Sequence, residues 1–132
     1  MRKILVVDDD LDLSELLKTF LIQNGYGVYV SHNAKSAIEI AKENKPDLIL
    51  MDIMLPDSDG AETARTIKST PLLRDIPIIF LTGLVSSDEE NKEESHIVIE
   101  GNYYPTLAKP IDVKRLLIVI KQIFNKDFSS GR

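Results

Sequence analysis

Apolar positions along the chain fall into two alternating patterns. Short continuous runs recur at Lys3 to Val7 (Lys-Ile-Leu-Val-Val), Leu48 to Met51 and Pro77 to Leu81 (Pro-Ile-Ile-Phe-Leu). Runs of this length suit strands covered by helices on both faces, as in a parallel sheet. Between them the spacing turns helical. Leu13, Leu16, Leu17, Phe20 and Leu21 precede the stop Asn24-Gly25, and Ala34, Ala37, Ile38 and Ala41 follow the N-cap candidate Asn33 and end before Pro46. Ala61, Ala64 and Ile67 form the inward face of a helix from about Ala61 to Lys68. A short strand is predicted over Gly27 to Ser31, and Asp112 N-caps a last helix with Val113, Leu116, Leu117, Ile120 and Phe124 inward. Strands alternating with helices predict a doubly wound α/β sandwich. Right-handed crossovers place every strand's carboxyl end on one edge of the sheet.

One stretch departs from this rhythm. Ser86 to Ser95 is polar and acidic, with Asp88-Glu89-Glu90 reading as a solvated face, and His96 to Glu100 has strand propensity instead of helical periodicity. An irregular or shortened fourth helix is expected between Gly83 and Tyr104. Leu107-Ala108 reads as the remnant of a fifth strand, followed by a Lys109-Pro110 turn. The pattern fits one domain over residues 1–126, with 127–132 as a frayed tail.

Composition narrows the class. At 132 residues, 43% hydrophobic and 28% charged, the chain suits a single soluble core, and no apolar run approaches the ~18 residues of a membrane span. It has no cysteine, which excludes disulfides, thiolate metal sites and a cysteine nucleophile. Met1-Arg2-Lys3 leads straight into a strand without a signal-peptide pattern, so a cytoplasmic location is expected. The formal charge of −5 argues against nucleic acid or an anionic membrane as a partner of this domain.

The chemistry is expected where the strands end. Asp8 and Asp9 follow the first strand, Asp52 ends the third, Thr82 ends the fourth and Lys109 follows the fifth. In this architecture residues just past successive strands converge, and open α/β sheets bind ligands at that edge. Three close carboxylates repel one another, and a hard divalent cation resolves the repulsion; a small oxygen site that keeps waters suits Mg²⁺. A hydroxyl and an ammonium opposite the acids suit a transferring phosphoryl group, and a carboxylate can accept that group as an acyl phosphate. Asp52, on the central strand, is the expected acceptor.

The set Val7-Asp8-Asp9, Leu50-Met51-Asp52-Ile53-Met54-Leu55-Pro56, Asp59-Gly60, Phe80-Leu81-Thr82-Gly83 and Lys109-Pro110 resembles the receiver domain of bacterial two-component response regulators, including the chemotaxis regulators. The resemblance covers essentially the whole chain. It implies a flavodoxin-like three-layer sandwich with a five-stranded parallel sheet in 2-1-3-4-5 order. It implies that Asp52 accepts phosphate from the phosphohistidine of a sensor histidine kinase or histidine phosphotransfer protein, and that a downstream protein reads the result. Asp9, Asp52 and the Met54 carbonyl would bind Mg²⁺, with Asp8 acting through water; Thr82 would hydrogen-bond the acyl phosphate and Lys109 would pair with its oxygens. The bond before Pro110 would be cis. Such a domain catalyses its own phosphoryl transfer and loss but is no enzyme acting on other substrates.

Two departures from the family pattern stand out. Thr106 occupies the position of the usual aromatic switch, next to Pro105, and the interval from Thr82 to Lys109 is about five residues longer than the resemblance implies. Met54 and Leu84 flank the expected path of the hydrolytic water, and neither side chain can orient it. Other residues have structural readings. Asp10 is expected at the N-terminus of the first helix, Asp57 and Asp59 as turn formers, Gly60 as a backbone requirement, and His32 and His96 as solvent-facing loop residues. Tyr103-Tyr104 suits half-buried packing or a partner anchor. Alternative functions are a pseudo-receiver that binds partners without phosphorylation, an aspartyl-phosphate phosphatase, and a flavin carrier. The phosphatase lacks a second acid at Met54, and Asp8-Asp9-Asp10 would repel a flavin phosphate.

Overall fold

The computed structural model describes residues 1–83 and 96–131, with side chains through residue 125. The elements, in order, are β1 (Lys3–Val7), α1 (Leu11–Gln23), β2 (Gly27–Ser31), α2 (Ala34–Asn44), β3 (Leu48–Asp52), α3 (Gly60–Lys68), β4 (Ile78–Thr82), β5 (His96–Ile99), β6 (Asn102–Ala108) and α4 (Val113–Gly131). The sheet order is β2-β1-β3-β4-β6-β5. Five of the strands run parallel in the expected 2-1-3-4-5 arrangement, with β6 as the fifth, and β5 is an additional antiparallel strand outside it.

Side-chain alternation explains why the sheet is covered twice. Leu5, Val7, Ile49, Met51, Ile78 and Phe80 point to one face and pack on Ala34, Ala37 and Ala41 of α2 and Ala64 and Ile67 of α3. Ile4, Val6, Leu48, Leu50, Ile79 and Leu81 point to the other and meet Leu17 and Leu21 of α1 and Leu116, Ile120 and Phe124 of α4. Successive strand residues serve opposite cores, so neither β3 nor β4 can carry a polar position before its last residue. Both strands are buried throughout.

The helix starts follow capping chemistry. Asp10 accepts from the Leu13 N–H at 3.0 Å, Asn33 from Ser36 at 2.8 Å and Asp59 from Glu62 at 2.7 Å. Asp59 is therefore the N-cap of α3, a more specific role than the turn former predicted. Asp112 accepts from the N–H groups of Lys114 and Arg115. The helix α4 continues to Gly131, through most of the stretch expected to fray.

The region after β4 differs most from expectation. Residues 96–108 form a regular β-hairpin: Ile99 pairs with Asn102, and the two intervening residues, Glu100 (φ 51°) and Gly101 (φ 83°), both lie in the left-handed region. Two such residues make the turn whose twist suits a two-residue hairpin. The segment from Gly83 to Tyr104 was expected to be irregular; its part from His96 onward is not. The strand propensity of His96 to Glu100 is realised, and the fifth strand is a full seven residues, not a remnant. His96 accordingly sits in a strand rather than a loop, exposed and stacked on Tyr103 with ring centroids 4.8 Å apart. The Ser86 to Ser95 stretch, with Asp88-Glu89-Glu90, and Leu84 lie outside the described residues. Among the described residues no helix is long and apolar enough to cross a membrane.

Candidate functional site

β1 and β3 are neighbours, with Val7 opposite Met51, so the acids that follow one and end the other must meet at the carboxyl edge. One oxygen from each of Asp8, Asp9 and Asp52 lies within 4.8 Å of the others. Asp8 is fully buried, Asp52 is 7% exposed and Asp9 stands exposed at the rim. Lys109 enters from the far side. It follows β6, where Thr82 pairs with Ala108, and its N–H donates to the Thr82 carbonyl at 2.9 Å. Its Nζ lies 2.9 Å from Oδ2 of Asp8 and 3.0 Å from Oδ2 of Asp52. The Lys109-Pro110 bond is cis, as expected.

The other oxygens of Asp52 and Asp8 are fixed by backbone. Asp52 Oδ1 accepts from the Met54 N–H at 3.0 Å, and Asp8 Oδ1 from the Asp10 N–H at 2.9 Å. Met54 thus lies against Asp52 through its backbone while its side chain is 62% exposed. Thr82 is buried at the end of β4, one residue past Leu81, the partner of Asp52. Thr106 is buried opposite Phe80 on β6, so a small hydroxyl fills the place of the expected family aromatic. Tyr104, two residues earlier, is the buried ring, packed edge-on against Phe80 at 5.4 Å.

Burial and charge act in opposite directions here. Loss of hydration raises the Asp8 carboxyl above its ordinary value, the Asp52 charge adds to this, and the Asp10 N–H and Lys109 ammonium only partly offset it. Burial also works against the Lys109 ammonium, but its bonds to Asp8 and Asp52 outweigh that, and its pKa rises. The directions are compatible, because Lys109 gains from two carboxylates and Asp8 gains from one ammonium.

Three supporting residues escaped the sequence reading of the site. Ser14 is buried, and its hydroxyl reaches the carbonyls of Asp8 at 3.1 Å and Asp10 at 2.9 Å. It shares a helical stripe with Leu17 and Leu21, a signal that was available. His32 is exposed as expected, but its Nδ1 lies 2.9 Å from the Asp8 carbonyl and so carries the proton, since a carbonyl only accepts. Asp57, predicted as a turn former, accepts from the N–H groups of Ala34 and Lys35 at the start of α2. Gly60 is required sterically: a Cβ there would stand 2.8 Å from Phe80 Cε1 and 2.9 Å from Ile53 Cα.

An acid cluster at the carboxyl edge of a 2-1-3-4-5 sheet, bridged by a lysine that precedes a cis proline, can be compared with known proteins. The family profile described as the response regulator receiver domain matches residues 4–121. The chain belongs to this family. The probable transcriptional regulator ycf29 of Pyropia yezoensis is 32% identical to this receiver domain over 125 residues, covering 95% of this chain and 54% of that protein. The chain therefore spans about half the length of that relative. A putative response regulator from Chloroflexus aurantiacus superposes with a TM-score of 0.78 at 28% identity, covering 92% of this chain and 96% of that one. A two-component response regulator from Clostridium difficile gives 0.79 at 27%, covering 95% and 97%.

Receiver domains receive signals in phosphorelays and generally bind Mg²⁺ in an acidic pocket. The residues of this receiver domain fit such an ion. Carboxylates are the hard donors it takes, and the Lys109 approach to Asp8 Oδ2 lacks hydrogen-bond geometry. That oxygen is the buried side-chain polar atom left without a hydrogen bond among the described residues.

Proposed function

We propose that this receiver domain takes a phosphoryl group onto Asp52 from the phosphohistidine of a sensor histidine kinase or histidine phosphotransfer protein, with Mg²⁺, and so changes a surface read by a downstream protein. The observation that carries the reading is the position of Lys109, ion-paired with the buried Asp8 and hydrogen-bonded to the acceptor Asp52. Asp8, Asp9, Asp52 and the Met54 carbonyl would hold Mg²⁺, with Asp8 acting through water. The ion, when bound, neutralises charge on the phosphoryl oxygens. A carboxylate oxygen of Asp52 forms the O–P bond as the P–N bond to the donor imidazole breaks; the ring nitrogen keeps the electron pair and takes up a proton. Lys109 turns from Asp52 Oδ2 to the new phosphoryl oxygens, and the Thr82 hydroxyl bonds the acyl phosphate.

Phosphorylation draws on Thr82 and hence on the chain that starts at Gly83, so the response is expected within residues 83–104 rather than at Thr106. The test of the reaction is intact mass after incubation with Mg²⁺ and acetyl phosphate. One added phosphoryl group, lost in Asp52→Asn and in excess chelator, is expected; undiminished labelling in either would refute the assignment. Thr106 in place of an aromatic favours a second reading, constitutive partner binding without phosphorylation. An unchanged mass in the wild type would select it.

A further inference from the structure

The loop that follows Asp52 is fastened at its far side to another part of the chain. Asp57 accepts from the Ala34 N–H through Oδ1 at 2.8 Å and from the Lys35 N–H through Oδ2 at 3.1 Å. These are the first two residues of α2, whose N–H groups have no partner within the helix and whose dipole favours a carboxylate. The helix already has its own cap, since Asn33 bonds Ser36. Asp57 is therefore a second cap supplied from a remote loop, and α2 does not depend on it to start.

The near side of the same loop is bonded to the acceptor, through the Met54 N–H on Asp52 Oδ1. Little chain separates the two attachments. Met54 bridges to Asp59, and the Leu55 N–H donates to the Ser58 carbonyl at 3.2 Å, so residues 54–59 form a tight turn with Asp57 at its apex side. We infer that Asp57 is a positioning residue: seated on α2, it fixes the turn that holds the Met54 backbone against Asp52, and so sets the acceptor carboxylate for Mg²⁺ and for phosphoryl transfer. The inference rests on the function proposed above.

The test uses the full chain and the variants Asp57→Ala, Asp57→Asn and Asn33→Ala. Mg²⁺ binding is measured by calorimetry without a phosphodonor, labelling by intact mass with acetyl phosphate, and stability by urea midpoint. Asp57→Ala should weaken Mg²⁺ binding about ten-fold, as loss of a group supporting metal ligands does. Its labelling should slow at low Mg²⁺ and approach the wild-type rate at high Mg²⁺. Asp57→Asn keeps one acceptor oxygen and should fall between. Asn33→Ala loses the local cap of α2 and should lower the urea midpoint at least as much while leaving Mg²⁺ affinity near wild type. Wild-type affinity in Asp57→Ala would overturn the inference, as would equal weakening in Asn33→Ala, which would mean a general effect of α2. If Asp57→Ala does not fold, Asp57→Asn decides against Asn33→Ala on the same terms. A wild type that neither binds Mg²⁺ nor takes a phosphoryl group would remove the underlying function and the inference with it, a result distinct from a variant-specific null.

Discussion

Lys109 places its Nζ 3.0 Å from Oδ2 of Asp52, a residue 57 positions earlier in the chain. The contact joins the central strand to β6 across the carboxyl edge. Lys109→Ala would leave Asp8 and Asp52 buried and mutually repelling, so the metal-free protein should lose about 3 kcal/mol, the low end for a buried pair because Lys109 is partly exposed. Because the Lys109 pKa is raised, its contribution is fully present below its ordinary value of 10.5 and is lost as pH rises through the raised value. Urea denaturation with and without Mg²⁺ checks this. Mg²⁺ binding should survive the substitution better than the structural response to phosphorylation, and equal loss of both would contradict the assigned role.

Asp8 has a linkage of the same sign, displaced to acid pH. Its pKa is raised above 3.8 chiefly by burial, so ionised Asp8 costs stability at neutral pH, and stability returns as pH falls through the raised value. Asp8→Asn should stabilise the metal-free protein at neutral pH, because the buried charge is removed. The advantage should shrink on acidification, and Mg²⁺ should stabilise the variant less than the wild type. A variant no more stable than wild type in chelator at pH 7 would show that Lys109 fully compensates the burial.

Gly60→Ala is expected to cost about 1–3 kcal/mol, because neither the Ile53 backbone nor the enclosed Phe80 ring can retreat from the added methyl group. Thermal denaturation measures it. An unchanged transition would mean that α3 shifts as a unit to make room.

Met54 is exposed at the mouth of the site and cannot orient water. Met54→Asn should therefore speed loss of the phosphoryl group, followed by intact mass after removal of the phosphodonor. Equal or slower loss would contradict the assignment of this position to the hydrolytic path.

Glu100 adopts φ 51° in the hairpin turn, where Asn is better tolerated. Its ion pair with Arg65, 2.9 Å long, is about half exposed at both ends and contributes little. Glu100→Asn should raise the urea midpoint by an amount equivalent to about 0.5 kcal/mol. A fall would show that the ion pair outweighs the turn.

The same turn explains what the sequence did not disclose. β1, β3 and β4 were legible because they serve two cores and carry apolar residues almost without interruption. The acid cluster and Lys109 were legible because strand ends must converge in this architecture. The hairpin was not. Glu100-Gly101 lacks the Asn-Gly or Asp-Gly signature of its turn, and Pro105 looks like a break within the strand. Pro105 is tolerated because it lies opposite His96, just before the β4–β6 pairing begins at Thr106, where its missing N–H interrupts no pairing with β4. Asp57 was hidden for another reason: its donors on α2 are 22 and 23 residues away, and nothing local marks that contact.

The added strand also alters how the sheet meets other proteins during folding and at high concentration. With β5 in place, the seven-residue β6 is paired along its length on one side or the other, and the outermost strand at this end of the sheet is the four-residue His96–Ile99. Unpaired strand borders template intermolecular β-pairing, and short ones offer few backbone groups to a passing chain. Removing β5 would hand that role to a longer strand carrying Tyr103, Tyr104 and Leu107, and aggregation, rather than loss of phosphoryl chemistry, would be its first symptom.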